Sequence, residues 1–359
     1  LPHYAAQSTA LMPGDVPPEM ADRYRLYLVL RHSRKPVVTG TFCADGFRPM
    51  LDLLVAVRGS ETALADIRLA IFDCCPISPL KWSELTSRAL LDAARAGIPV
   101  EIISVPLAGA TAPVTLRDAV VLHCAENLSG VILSQLARPG AAVVWGGSPA
   151  AFDMRRGTTP MGGVETMMME VAYAQVGRHL GLPTHGYLAV SDSKCPDYQA
   201  GMESGMGALV AALAGINVVS GAGMLDFLMC QSREKLLLDH DACGMALRFA
   251  RGIGLGSAGA VELIGDLVRT GEFLSHRHTR ENWRRELFVP SSLVDRETYG
   301  DWEAKGGRWA HQRAASEVQE RLQKTAPVPL EPAVAKALDE VILADAKRLG
   351  VANPERLLV

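Results

Sequence analysis

Six short apolar runs punctuate the chain: KPVVTGTF, RLAIFD, IPVEIIS, AAVVWGG, LPTHGYLAV and AGINVVSG, with strand starts near 37, 69, 100, 142, 184 and 215. They recur about every 30 to 40 residues, room for a strand, a helix and a return loop. Between them lie helix-compatible stretches, KWSELTSRALLDAARAG ending in Gly and TLRDAVVLHCAENLSGVILSQLARPG ending in Pro-Gly, both stop signals. A further helix is expected around 16–35. Repeated β-loop-α units predict an α/β fold with a parallel sheet, either an open sheet covered on both faces or an eight-stranded β/α barrel. A seventh strand is expected near 252–257, and the eighth before the chain or near its start.

The second half changes texture. Residues 232–251 carry a helical stripe through Leu236, His240, Cys243, Leu247 and Ala250, which places His240 in a core or an interface. GIGLGSAGAVELIGDLVRTGEFL reads as turn plus helix, followed by the polar HRHTRENWRRELF. Two helical runs, WAHQRAASEVQERLQ and EPAVAKALDEVILADAKRL, flank PVPLEP near the end. The organisation predicted is a β/α catalytic domain over 1–308 and a helical extension over 309–359.

At 359 residues and 48% hydrophobic, the chain has enough apolar surface for one sizeable core. A net charge of -3 with mixed signs offers no field for gripping phosphate backbones, which argues against nucleic acid. The seven Cys are an odd number without a small-protein framework, which favours a reducing cytoplasm. No uninterrupted run of 18 apolar residues points to a membrane span, and no permanently bound cofactor or metal is expected.

Ligand chemistry in parallel β/α folds collects at the C-terminal ends of strands. The loops there contain Asp45, Asp73, Thr111, Asp153, Arg155, Asp192, Lys194, Asp197, Gln199, Glu203 and Asp226. In SDSKCPDYQAGMESG, Asp197 is placed to cap a helix starting near Tyr198, and Gln199 and Glu203 share a face at i,i+4. His185 and Tyr187 alternate onto one face of a strand, whereas Cys74 and Cys75 point apart and lack the spacing of a zinc array. Neither GAGMLD nor GGSPAAFDMRRG forms a nucleotide-phosphate motif. The run Met167, Met168, Met169 suits core filling or an apolar cofactor.

The ordered set PLAGATAPVTLRDAV, GGSPAAFDMRRGTTPMGGVE, SDSKCPDYQAGMESG, GINVVSGAGMLD and HTRENWRRELFVPSSLVDRETYGDWEAKGG resembles the trimethylamine methyltransferase family from about residue 35 to 325. The resemblance implies a TIM-type β/α barrel, of which an N-terminal part is missing from this chain. It also implies methyl transfer from a methylated amine to the reduced cobalt of a separate corrinoid protein, whose cobalamin is supplied by that partner. Some members use pyrrolysine for trimethylamine. This chain contains only ordinary residues, so it is similar to the members acting on quaternary amines such as glycine betaine.

A quaternary ammonium leaves as a neutral amine, so transfer needs alignment and desolvation rather than a proton donor. The expected catalytic group is Asp192, Lys194, Glu203 and Asp226, with Lys194 organising the acids' charge. Phe42, Trp145, Tyr173, Tyr187 and Phe227 are the aromatic candidates for the cation. Arg155 and His185 are candidates for a substrate carboxylate, Asp45, Asp197 and Gln199 for further polar contacts, and Met167 and Met168 for the corrinoid. A homo-oligomer is expected. A β/α-barrel lyase or hydrolase, and a non-catalytic ligand- or partner-binding protein, are the alternatives.

Overall fold

The computed structural model describes residues 1–254, 259–326 and 329–359. Seven parallel strands stand side by side in chain order: β1 (Gln7–Ser8), β2 (Val37–Thr39), β3 (Ala70–Cys74), β4 (Val100–Ser104), β5 (Val143–Gly147), β6 (His185–Gly186) and β7 (Val218–Val219). The β5–β6 step rests on the bridge between Trp145 and Thr184 and on Trp145 N–H donating to Pro183 C=O at 2.8 Å. Strand order never reverses, so the doubly wound alternative, which needs a switch point, is excluded.

All six apolar runs are strands, and the strand near the chain's start is β1. The seventh expected near 252–257 is not found over 252–254, which are irregular, and 255–257 lie outside the described residues. Among the described residues no strand pairing joins β7 back to β1. Instead Tyr4 Oη donates to Leu236 C=O at 2.7 Å, and His3 N–H donates to His240 Nε2 at 3.2 Å. A helix therefore meets the N-terminal segment where a closing strand would stand.

Helices return after each strand: α1 (Ala21–His32), α2 (Phe47–Arg58), α3 (Glu61–Asp66), α4 (Glu84–Ala96), α5 (Leu116–Ala137), α6 (Val164–His179), α7 (Tyr198–Ala214) and α8 (Arg233–Ala250). Local chemistry sets their ends. Ser83, Asp197 and Ser232 accept from backbone N–H groups in the first turns of α4, α7 and α8, and Gly97 and Gly215 close α4 and α7 in the left-handed region. Beyond α8 lie α9 (Ala260–Thr270), α10 (Arg277–Glu286), α11 (Tyr299–Ala304), α12 (Ala310–Lys324) and α13 (Pro332–Arg348).

The main core lies between β2–β5 and α1, α2 and α4, and α13 adds Leu338, Ile342 and Ala346 to it. Ala314 and Val318 of α12 pack with Leu237 of α8 and Leu293. By length and composition α5 is apolar enough to cross a membrane. Its inner face nevertheless carries buried His123, Glu126 and Asn127. His123 Nε2 and Asn127 Nδ2 lie 3.0 and 2.6 Å from Gly146 C=O, and Glu126 accepts from Ser78, Ser104 and the Leu80 N–H. Polar groups bound to the sheet in this way are those of a core helix.

Helix α7 seats on the extension of β6 through Gly207, where a Cβ would fall 1.6 Å from Leu188 C=O. Gly207→Ala is therefore expected to lower stability by roughly 1–3 kcal/mol in urea unfolding, since backbone must move. Gly205→Ala, with nothing within 4 Å of the added methyl, should raise it by about 0.5–1 kcal/mol.

Candidate active site

Alternation along each strand sorts side chains onto two faces. Ala70, Phe72 and Cys74 of β3, Val100 and Ile102 of β4 and Val143 of β5 pack under the helices, so Asp73, Cys75, Glu101 and Gly146 face the other way. On β5 a Cβ at Gly146 would lie 2.1 Å from Glu101 Oε1. On β6 a Cβ at Gly186 would meet Glu170 of α6 at 2.4 Å, which turns His185 and Tyr187 to the face that holds Glu101.

There Glu101 of β4 reaches over Gly146 to His185 of β6, Oε1 hydrogen-bonding with Nδ1, and both side chains are fully buried. His185 Nε2 lies 2.8 Å from Ser220 Oγ, just past β7. The imidazole thus bridges the Glu101 carboxylate and the Ser220 hydroxyl through its two nitrogens. The Tyr187 ring sits 4.8 Å from the imidazole.

Asp73 of β3 lies against Glu101; burial, then the Glu101 charge and hydrogen bond, push its carboxyl well above the ordinary range. Burial likewise raises the Tyr187 phenol, and it pushes the Cys75 thiol up to about 12 although Cys75 is accessible to water. Cys75 is exposed, so water reaches this face at the end of β3. This face can present negative charge, an aromatic ring and a histidine-held hydroxyl to one small ligand.

The loop at 191–205 is saturated by its own bonds. Asp192 accepts from Met161 and Gly162 N–H at 2.8 and 2.9 Å, and Glu203 from Ser191 Oγ, Asp192 N–H and Gln199 Nε2 at 2.6, 2.8 and 2.9 Å. Asp197 accepts from Ser193 Oγ and from the α7 backbone. Lys194 donates to Asp192 C=O at 2.6 Å, pairs with Asp226 at 3.2 Å and stands 3.8 Å over the Phe227 ring. The network clips the loop after β5 to the loop after β6, and Asp226, Phe227 and Leu228 beside it are all left-handed, a strained run. Phe227 packs near Tyr187, Met161 and Val190.

The remaining candidates lie elsewhere. Trp145 and Tyr173 are buried between β5 and α6, where Trp145 Nε1 donates to Tyr173 C=O and the Tyr173 hydroxyl to Gly147 and His185 C=O. Met167 belongs to that same core, and Met168 is 57% exposed on the outer side of α6. Arg155 is on the surface beside Asp153. Phe42 is exposed under the Arg25 guanidinium, 4.5 Å from its ring centroid, and Asp45 pairs with Arg23 and Arg348. Each sits where its local sequence suits it, but strand direction and helix phase turn it from the concave face.

Glu101 and Ser220 are absent from the sequence-based set. The signal for Glu101 is legible afterwards: it is the one ionisable residue inside the apolar run IPVEIIS, on a strand buried on both faces. Two surface clefts of about 670 and 730 Å³ lie apart from this constellation, one beside Trp283 and Phe288, the other between α2 and α13.

A sequence profile described as Trimethylamine methyltransferase (MTTB) matches residues 3–350. The chain is 32% identical over 342 residues to the trimethylamine methyltransferase MttB of Desulfitobacterium hafniense (strain DSM 10664 / DCB-2), covering 95% of this chain and 68% of that one. It is 32% identical over 344 residues to the glycine betaine methyltransferase of Desulfitobacterium hafniense (strain Y51), covering 95% and 71%. Against the trimethylamine methyltransferase MttB of Methanosarcina barkeri the identity is 36% over 271 residues, 75% of this chain and 54% of that one. The chain thus spans between about half and somewhat over two thirds of these relatives' lengths. Among solved structures, the Methanosarcina barkeri monomethylamine methyltransferase (MtmB) aligns with a TM-score of 0.47 and 11% identity, covering 90% of this chain and 73% of that one.

Because folding raises the Asp73 carboxyl above its ordinary 3.8, the folded state holds a proton that the unfolded chain has released. Its stability relative to Asp73→Asn is therefore expected to be highest below about pH 4 and to fall as pH rises through the folded titration. Urea midpoints of both proteins between pH 4 and 8 measure this; a wild-type stability that rises with pH relative to the variant contradicts it.

Proposed function

The chain belongs to the trimethylamine methyltransferase family, and from that premise we propose that it demethylates a quaternary ammonium compound of the glycine betaine type. The methyl acceptor in this reading is the reduced cobalt of a partner's corrinoid, and the sheet belongs to a barrel whose inner face carries the site. The observation that carries the reading is the Asp73–Glu101 carboxyl pair beside the Tyr187 ring and the His185–Ser220 pair, all on one partly wet face of a parallel sheet. Negative charge and an aromatic face are what attract a cation that has no N–H to donate.

The work assigned to this chain's residues is binding, orientation and exclusion of water. Departure of a neutral tertiary amine needs no acid, so Glu101 and Asp73 act as charge, and the Ser220 hydroxyl held by His185 is the polar group assigned to a substrate carboxylate. Ordinary residues throughout the chain and a glycine betaine methyltransferase among the relatives favour a quaternary donor over a pyrrolysine-dependent reaction. A second reading has one specific support: the Ser220–His185–Glu101 series is ordered like the nucleophile, base and orienting acid of a hydrolase.

The test follows both products, demethylated amine and methylated corrinoid, by mass spectrometry across glycine betaine and related quaternary amines, using full-length protein with a reduced corrinoid partner. Glu101→Gln and Asp73→Asn are expected to lower kcat/KM on the order of 100-fold. Absence of methyl loss from every quaternary amine rejects the reading, and ester hydrolysis abolished by Ser220→Ala replaces it with the second.

A further inference from the structure

Resting on the assignment of the concave face as an ammonium site, we propose that the Asp73–Glu101 pair exchanges a proton for the cation: a bound quaternary ammonium takes the place of the proton that the empty pair shares. The geometry begins with two oxygens. Asp73 Oδ1 and Glu101 Oε2 are both shielded from water and receive no hydrogen bond from any described N–H or O–H. Glu101 is fully buried, and its other oxygen is occupied by His185 Nδ1. A proton held between the two carboxyls gives the pair the donor it lacks, and two adjacent carboxylates shielded from water cannot both ionise without a cation at hand.

The charges around the pair decide what happens when a cation arrives. Arg25 of α1 is the basic group whose charge acts on Asp73, and its guanidinium is committed to Thr9 and Gly40 C=O at 2.7 and 2.9 Å and to the Phe42 ring. Asp22, the other acid acting on Arg25, pairs with Arg23 at 3.3 Å. From β6, His185 is bonded at Nδ1 to Glu101 and at Nε2 to Ser220, and Tyr187 presents a neutral phenol, while Glu170 bonds the Tyr187 backbone from the α6 side. On β3 itself, Cys74 and Cys75 are neutral thiols at ordinary pH.

With one proton on the pair, the site therefore balances a single negative charge against Arg25. A fixed cation adds one positive charge, and release of the shared proton restores the balance: cation plus singly protonated pair gives bound cation, two carboxylates and a free proton. A neutral ligand of the same shape disturbs nothing and releases nothing.

Titration calorimetry of the full chain with choline, repeated in phosphate and in Tris between pH 5 and 8, counts the protons released from the difference in buffer ionisation heat. About one proton per choline is expected on the acidic side, with affinity rising ~10-fold per pH unit there and levelling above the titration. The uncharged carbon isostere 3,3-dimethylbutan-1-ol should bind without proton release, and Asp73→Asn should abolish the release for choline.

Choline binding with no more proton release than the isostere overturns the proposal, as does the absence of saturable choline binding. The wild-type buffer comparison decides the matter even if the variant does not fold. Methyl transfer without proton release sinks only the exchange, and proton release without methyl transfer sinks only the enzymatic assignment.

Discussion

The strand Val100–Ser104 is buried along its whole length, so the one ionisable residue on it must be answered within the protein. Glu101 is answered by His185 across an intervening strand, and that bond determines much around it. It requires glycine at 146, where a side chain would occupy the carboxylate's path. It fixes the imidazole so that Nε2 turns to Ser220, and it holds Glu101 against Asp73, whose carboxyl is pushed above its ordinary range by burial and by the Glu101 charge. Three strands and the end of a fourth are thereby tied by polar contacts on one face while apolar packing ties them on the other.

The acid-rich loop at 191–205 solves a different problem. Loops at the ends of β5 and β6 project beyond the sheet, and their backbone N–H groups need partners. Asp192 and Glu203 supply acceptors, Asp197 caps α7, and Lys194 is held by Asp226, by a carbonyl and by the Phe227 ring. The loop is thus a clamp that sets the rim, while the deeper polar groups come from the strands. Charge in a loop and charge on a buried strand carry different meanings: the first is readily met by nearby backbone, and the second is retained at a cost that chemistry or binding must justify.

The family assignment and the concave face support one another without being the same argument. The profile match spans nearly the whole chain, yet it says nothing of which side chains meet. The strand alternation says which side chains meet, yet by itself admits a hydrolase as well as a methyltransferase, because fold and function are separable. Both are compatible with the cationic ligand proposed above.

Local rules made a good part of this protein legible from residues alone. The β/α rhythm, the helix ends at Ser83, Gly97, Asp197 and Gly215, the i,i+4 contact of Gln199 with Glu203 and the shared face of His185 and Tyr187 all follow from chemistry within a few positions along the chain. Tertiary structure alone decided which of the many loop acids were spent on backbone, that Trp145 and Tyr173 belong under α6, and that Glu101, Asp73, His185 and Ser220 converge. Those contacts join residues up to 84 positions apart, and their direction depends on strand register and on the helix packed behind, neither of which is written in any short stretch of sequence.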